Sequence, residues 1–271
     1  MTEEHSLWNA DLHLHTNLSF CAPRETQITD YLALCESEEL TAIGISNHIY
    51  MPYVLEKHGF PEKRGYEYAL RAAEEIRALN KTSKVKIYLG AEIETYRGFE
   101  PSLIPSEAGA FDYVLLAASH IMNTNGIYAP EDVSSPDKIR DIMLERYFYA
   151  CSLDYPVPTA ICHPLYPIVS GCEEEIVNGI SDSTLADCFS LAAKKNIGIE
   201  IHACLYRNGT TLNEEGLSPT YLRVLAAAKA CGCKFHFGCD AHRTGTFEGK
   251  HRLLRRAAEL TGITPQDMWT L

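Results

Sequence analysis

The chain contains 271 residues, 46% of them apolar, which is enough for a substantial core in one large domain or two small ones. Its 36 acidic residues outnumber the 24 lysines and arginines, and the formal net charge is -12. No basic stripe is visible, so the composition disfavours long nucleic acids as partners. A small anionic substrate stays compatible with this charge, because bound divalent cations would reverse the field locally.

The N-terminal segment shows neither the basic nor the apolar region of a secretory signal, and no apolar run reaches membrane-spanning length. We therefore expect a cytoplasmic protein with reduced thiols that does not contact a membrane. The ten cysteines form no repeated C-x-x-C pairs, so we expect most of them to be small buried hydrophobic residues.

Strand-like apolar runs alternate with helix-like stretches along the chain. The pattern predicts seven strands, at residues 8–13, 41–46, 85–91, 112–118, 158–162, 197–202 and 234–238. It predicts six helices, at residues 26–38, 62–79, 137–152, 182–195, 219–230 and 248–260. This alternation indicates parallel β/α units, in an open doubly wound sheet or a closed barrel. The lack of a repeat or a linker favours one domain over residues 1–271.

Four longer irregular stretches, at residues 49–61, 121–136, 164–180 and 204–218, each follow a predicted strand. All four should therefore lie on the face formed by the carboxyl ends of the strands. Barrels and open α/β sheets place their active sites on that face.

The first predicted strand ends at a His-x-His pair, His13 and His15. Residues two apart in a strand point the same way, so both imidazoles would aim at one point, where a metal ion could bind. Further potential ligands stand at the ends of the other predicted strands, namely His48, Glu92, Glu94, His120, His163, Glu200, His202, Asp240 and His242. Nitrogen and oxygen donors that converge over a barrel mouth are what a multinuclear hydrolytic site requires.

Two further carboxylates and two further histidines have readings that do not make them metal ligands. Glu94 is either a solvated carboxylate or a partner of a metal ligand, and Glu200 either points at the site or pairs with a lysine. His236, between two phenylalanines, is expected to pack inside the barrel. His251 lies outside the motifs and is expected at the surface.

The motifs D-L-H-x-H-T, I-S-N-H, G-x-E-x-E, S-H, C-H-P and G-C-D-A-H occur in this order over nearly the whole chain. In this order they resemble the PHP family, the polymerase and histidinol-phosphatase domain. The resemblance implies an α/β fold, a distorted (β/α)7 barrel of the PHP type. It also implies up to three divalent metal ions and the hydrolysis of phosphate esters.

The resemblance implies a ligand set for each ion. A first metal would be held by His13, His15, Glu92 and Asp240. Glu92 would bridge to a second metal, completed by His120 and His163. A third metal would be held by His48 and His242.

The chain departs from the family pattern at two places. Where the family places a further His or Asp ligand for the third metal, this chain has Phe20-Cys21. Phe20 cannot bind a metal, whereas Cys21 could, and a thiolate among imidazoles favours zinc over manganese. The third metal is therefore absent, weakly held or completed by Cys21. The second departure is Asn47, which replaces an acidic residue and could still orient His48.

Within the family, the chain looks most similar to the histidinol-phosphatase-like branch. The run Glu200-Ile201-His202-Ala203-Cys204-Leu205-Tyr206-Arg207 is similar to that branch's E-I-N-T-x-G-L-R, with the arginine at the same offset. Arg207 and His202 would then contact the substrate, with Arg207 on its phosphate. Because His202 replaces the asparagine and the branch's F-C-P-H-G histidine is missing, the substrate can differ from histidinol phosphate.

These observations predict a metal-dependent phosphoric ester hydrolase, a phosphomonoesterase of a small soluble metabolite that uses a metal-bridging hydroxide. Its cofactors would be two or three divalent ions of Zn, Mn or Fe. Glu92, Asp240 and His242 are the predicted catalytic residues, and His242 or His202 could protonate the leaving oxygen.

Three other functions compete with this one. A phosphodiesterase or exonuclease acting on short nucleotides is the main alternative, since some PHP domains act in this way. A PHP module without catalytic activity would have lost ligands that this chain keeps. A metal-dependent amidohydrolase normally needs a metal-bridging lysine or a different ligand spacing, and neither is visible in the sequence. The oligomeric state is not predicted.

Overall fold

A computed structural model of the chain describes residues 7–58, 66–95, 101–121, 131–167, 171–202 and 216–271. These residues form eight strands: β1 (Ala10–Leu14), β2 (Ala42–Ile45), β3 (His48–Ile49), β4 (Lys86–Glu94), β5 (Tyr113–Ala117), β6 (Thr159–Ile161), β7 (Gly198–His202) and β8 (Phe235–Gly238). Seven of them correspond to the predicted strands. The short β3, which was not predicted, follows β2 after two residues.

All strand pairs are parallel, in the order β1-β2-β4-β5-β6-β7-β8, and β3 pairs with the carboxyl half of β4. The two outer strands approach each other, since the amide of His15 donates to the carbonyl of Ala241 at 2.9 Å. The sheet is thus nearly closed, which confirms the predicted distorted (β/α)7 barrel and excludes the open doubly wound sheet.

The six predicted helices are present as α1 (Ile28–Leu34), α3 (Tyr66–Leu79), α4 (Pro136–Ser152), α6 (Asp182–Lys194), α7 (Pro219–Ala230) and α9 (Lys250–Leu260). Three short helices interrupt the stretches between them: α2 (Pro52–His58), α5 (Glu173–Asn178) and α8 (Thr244–Phe247). Ser135 and Ser181 cap α4 and α6 by accepting amide hydrogen bonds from the first turn. Within the ranges described above, no helix is long and apolar enough to cross a bilayer. The single domain over residues 1–271 stays a prediction.

The amino ends of the strands are closed by Trp269, near the C-terminus. Its amide donates to the carbonyl of Phe235 at 2.7 Å, and its ring packs edge-on against Tyr113, with 6.4 Å between centroids. A Cβ at Gly198 would lie 2.9 Å from the Trp269 ring, so glycine is needed for the indole to fit. The buried ring of His236 also contacts Trp269, which confirms its predicted packing role.

The expected surface position of His251 is wrong. This side chain is 1% exposed, and its Nε2 lies 3.2 Å from Oδ2 of the fully buried Asp11. The helical pattern of α9 explains the difference, because His251, Leu254 and Ala258 share the buried face of that helix.

Candidate metal centre

The carboxyl ends of the strands carry the predicted ligands to one place. His13 and His15 come from β1 and the residue that follows it, and Glu92 comes from the carboxyl end of β4. The rest stand in β3 or in the loops after the other strands, as His48, His120, His163, Asp240 and His242. Five of these eight side chains are buried, and those of His48, Asp240 and His242 are half-buried, so the centre is largely shielded from solvent but open on one side.

Glu92 lies at the centre of the cluster, and each of its oxygens faces a different group of imidazoles. Its Oε2 lies 3.4 Å from Nε2 of His13, 3.3 Å from Nε2 of His15 and 3.1 Å from Nδ1 of His48. Its Oε1 lies 2.9 Å from Nε2 of His163 and 3.9 Å from Nε2 of His120. One carboxylate therefore touches two sets of donors, as a bridging ligand would.

Asp240 supplies a second carboxylate to the two imidazoles of the His-x-His pair. Its Oδ1 lies 3.0 Å from Nε2 of His15 and 3.6 Å from Nε2 of His13. The backbone of Asp240 has a φ of 50°, and that of His163 has a φ of 32°. Both residues stand two positions after the end of a strand and have the left-handed backbone conformation, which residues other than glycine rarely adopt. Backbone strain of this kind often accompanies functional sites.

The buried carboxylate of Glu200, in β7, orients His13 and His163. Its Oε1 is 2.7 Å from Nδ1 of His13, so the Nε2 of that imidazole is directed at Glu92. Its Oε2 accepts from the amide of His163 at 2.5 Å and lies 3.0 Å from Nδ1 of His202. A Cβ at Gly238 would lie only 1.9 Å from Oε1, so glycine makes room for this carboxylate.

Glu94 plays a similar part for His120, because its Oε1 is hydrogen-bonded to Nδ1 of that ring. The guanidinium of Arg146, 1% exposed, lies 3.5 Å from the other Glu94 oxygen and donates to the carbonyl of Ala117. Glu94 is 3% exposed, so the solvated alternative is wrong and the alternative of a ligand partner fits the structure.

The sequence signal for Glu200 was a charged residue between Ile199 and Ile201, in a strand that is buried along its length. A carboxylate at such a position is costly without partners. The lysine pairing considered from the sequence is not what the structure has, since the carboxylate contacts imidazoles and an amide instead.

Mutual charges hold the cluster in an ionised state. Burial by itself would raise the pKa of Glu92, but the imidazoles, first of all His48, lower it well below its usual value. Burial would lower the pKa of His13, but the carboxylates, led by Glu200, raise it to about 10. Burial and the charge of His120 lower the pKa of His163 to about 4. Protons on some imidazoles therefore balance the carboxylates, a role that cations would take over on binding.

The donor set fits divalent metal ions. Nε2 of His13, both ring nitrogens of His15, Nδ1 of His48 and Oε2 of Glu92 are buried and make no hydrogen bond. Buried polar atoms seldom stay unsatisfied unless an ion or water completes them. Imidazole nitrogens with carboxylate oxygens suit zinc, manganese and iron.

The thiol of Cys21 lies close to three of the imidazoles, at the edge of the centre. Its thiol and one nitrogen from each of His15, His48 and His242 lie within 4.8 Å of one another. Burial by itself would raise the pKa of the thiol, but the neighbouring imidazoles, first of all His15 and then His48, lower it to about 2. Phe20 is 41% exposed.

The structure describes one of the two residues predicted to contact the substrate. His202 is 2% exposed and lies beside Glu200 and the ring of His163. Its contact with a substrate stays a prediction. Arg207 lies outside the described residues.

A nearly closed parallel barrel with imidazoles and carboxylates at its mouth defines a class of metal-dependent hydrolases. The PHP domain family matches residues 11–204, and the chain belongs to this family. Membership confirms the family resemblance and the predicted enzyme class, a metal-dependent phosphoric ester hydrolase. No curated protein matches the chain in sequence.

Two solved structures share the fold over most of their length. One is histidinol phosphate phosphatase from Lactococcus lactis subsp. lactis Il1403, solved in complex with zinc, L-histidinol and phosphate. Its TM-score is 0.64 at 14% identity, and the alignment covers 94% of this chain and 94% of that one. A Listeria monocytogenes protein assigned as a histidinol phosphatase has a TM-score of 0.65 at 13% identity, and the alignment covers 90% of this chain and 99% of that one.

Proposed function

We propose that the protein is a phosphomonoesterase that removes phosphate from a small metabolite with the help of two or three divalent ions. The observation that carries this proposal is Glu92, whose two oxygens face separate groups of imidazoles. A carboxylate in this position can hold two cations close together, and paired cations are suited to phosphoryl transfer.

The metal roles follow the same geometry. His13, His15 and Asp240 would hold one ion with Oε2 of Glu92, since Nε2 of each imidazole lies within 3.6 Å of a carboxylate oxygen of both Glu92 and Asp240. His120 and His163 would hold another with Oε1 of Glu92. His48 and His242 lie at the edge, where a third ion would bind.

When bound, such ions lower the pKa of water and offset the charge that develops on the phosphoryl oxygens. The chain's own carboxylates make these ions necessary for substrate binding. Glu92, Glu94, Glu200 and Asp240 all lie at the mouth, and their charges would repel a phosphate that approached without cations.

His242 is the ring best placed to meet the leaving group. Its side chain is 28% exposed, whereas His202 is almost fully buried. Nδ1 of His242 donates to the carbonyl of Asp240 at 2.9 Å, so only Nε2 is left for chemistry. That nitrogen can deliver a proton or hold a cation, but it cannot do both.

The substrate is proposed as a phosphomonoester because two solved structures that share the fold are of proteins named for histidinol phosphate or histidinol. The replacement of asparagine by His202 leaves the organic part of the substrate open. A panel of phosphorylated metabolites that includes histidinol phosphate would identify it.

The proposal is tested by the hydrolysis of p-nitrophenyl phosphate after loading with Mn²⁺ or Zn²⁺. Asp240→Asn and His13→Ala should abolish activity, while Asp182→Asn on exposed α6 should keep it. Equal activity of Asp240→Asn and the wild type would contradict the site assignment. Faster hydrolysis of bis(p-nitrophenyl) phosphate would favour the phosphodiesterase alternative.

A further inference from the structure

We infer that the sulfur of Cys21, together with His48 and His242, forms a metal site that prefers zinc over manganese. The inference rests on the proposed function, because it specifies one of the metal sites of that centre. It gives this chain a sulfur ligand at the place where the family pattern has a nitrogen or oxygen ligand.

The donor atoms are already close to the spacing of a bound metal. One atom each from His15, Cys21, His48 and His242 lies within 4.8 Å of the others. Ligands of a tetrahedral zinc lie about 3.5 Å apart, given its bond lengths, so small side-chain movements would complete the site. The His15 ring stacks between the other two, with centroids 4.9 Å from His48 and 4.4 Å from His242.

Unsatisfied buried nitrogens point independently to a ligand here. His15 is fully buried, and its Nδ1 makes no hydrogen bond. Nδ1 of His48 is buried and also makes none. Nε2 of His15 lies 3.0 Å from Asp240, which places that nitrogen in the neighbouring site. Cys21, His48 and His242 then supply three ligands and leave a fourth position for substrate, as catalytic zinc sites do.

The loop that carries Cys21 is closed by a hydrogen bond between its ends and is tied to the site at Thr26. The amide of Asn17 donates to the carbonyl of Thr26 at 2.8 Å, which closes the loop. The Thr26 hydroxyl donates to the carbonyl of His242 at 3.0 Å, so the loop is fixed to one of the proposed ligands. Within the loop, Oγ of Ser19 lies 3.0 Å from the sulfur of Cys21. These hydrogen bonds therefore position the sulfur beside the imidazoles.

The ligand type determines which metal the site prefers. A soft thiolate stabilises zinc more than manganese, whereas imidazole and carboxylate ligands suit both. If Nε2 of His242 binds this metal, it is not available as a proton donor, so the leaving oxygen would be neutralised by the cation.

Cobalt spectroscopy tests the sulfur ligand directly. The full-length chain, stripped of metal and titrated with Co²⁺, should develop a near-ultraviolet absorption from sulfur-to-cobalt charge transfer. Cys21→Ser should lose this band, and Cys231→Ser should keep it, because Cys231 is a half-buried thiol at the end of α7. A band that persists in Cys21→Ser, or a wild type that binds cobalt without the band, would overturn the inference.

Metal competition provides a second measurement. Cys21→His keeps a ligand but removes the sulfur, so the ratio of zinc to manganese affinity should fall by at least about tenfold. An unchanged ratio would also overturn the inference.

The two proposals can fail separately. Metal-dependent phosphatase activity in a wild type without the cobalt band would contradict only the sulfur ligand. A chain that binds no divalent metal at all would contradict both.

Discussion

At the carboxyl ends of its strands the barrel is filled with imidazoles and carboxylates, whereas at the amino ends it is filled with the ring of Trp269. Several polar atoms around Glu92 are buried without hydrogen bonds, while the Trp269 ring packs on Tyr113 and its amide is bonded to Phe235. The carboxyl ends of the strands (the mouth) can thus accept an added ligand, whereas the packing at the amino ends (the floor) stabilises the fold. Barrel enzymes commonly divide these tasks between their two ends.

A change at the mouth should remove activity with little loss of stability. Glu92→Gln keeps the side-chain volume but removes the charge that faces both imidazole groups. Phosphatase activity should fall by at least about 10³-fold, because several kcal/mol of charge stabilisation are lost. The kcat of the metal-loaded variant tests this, with circular dichroism to check the fold. Activity within about tenfold of wild type would contradict the central role of Glu92.

A change at the floor, the amino ends of the strands, should lower the stability of the fold. Trp269→Ala leaves a large void beside Tyr113 and Gly198, so the free energy of unfolding should fall by about 3–5 kcal/mol. Leu271→Ala, at a residue that is 38% exposed, should change it by about 0.5 kcal/mol at most. Urea unfolding measures both. If Trp269→Ala is as stable as Leu271→Ala, the floor does not carry the stability assigned to it.

Glu200 lies at the mouth but contacts the proposed ligands and not the metal position, so a change there should alter metal binding indirectly. Glu200→Gln weakens the hold on His13 and should lower metal affinity about 10–100-fold. Gly238→Ala should lower it as well, because the added Cβ would displace the same carboxylate. Glu173→Gln, on the first turn of α5, is the control. Metal titration of the three variants decides whether Glu200 positions the ligands.

The smallest effect is expected on the segment that leads to Trp269. Hydrogen bonds from Lys229 and from Thr264 outweigh a slight burial and lower the pKa of Asp267 to about 2. Since the folded pKa lies below the unfolded one, this stabilisation is present above about pH 4 and is lost as the pH falls toward 2. Asp267→Asn should cost about 1 kcal/mol or less at neutral pH. Urea unfolding should show the difference from wild type shrink in acid.

The sequence pattern was sufficient for the parallel β/α units and for most of the cluster, whereas the closed barrel was predicted only through the family resemblance. Parallel strands bring their carboxyl ends together, so placing His13, Glu92, His163 and Asp240 at strand ends was enough to predict that they meet. Predicted strand bounds were also close, as in residues 112–118 for Tyr113–Ala117.

Other features depend on contacts that the sequence pattern does not contain. The two-residue β3 is too short for any periodicity, and it forms only by pairing with β4. The role of Glu200 depends on the space above Gly238, which belongs to a different strand. The position of Cys21 beside the imidazoles depends on how its loop is tied to His242 through Thr26.

The metal content of the protein tests the central claim most directly. After equilibration with Zn²⁺ or Mn²⁺ and removal of the excess, elemental analysis of the wild type should find about two or three ions per chain. Glu92→Gln should retain at least one ion fewer under the same conditions. A correctly folded wild type that retains less than one ion per chain would contradict the account.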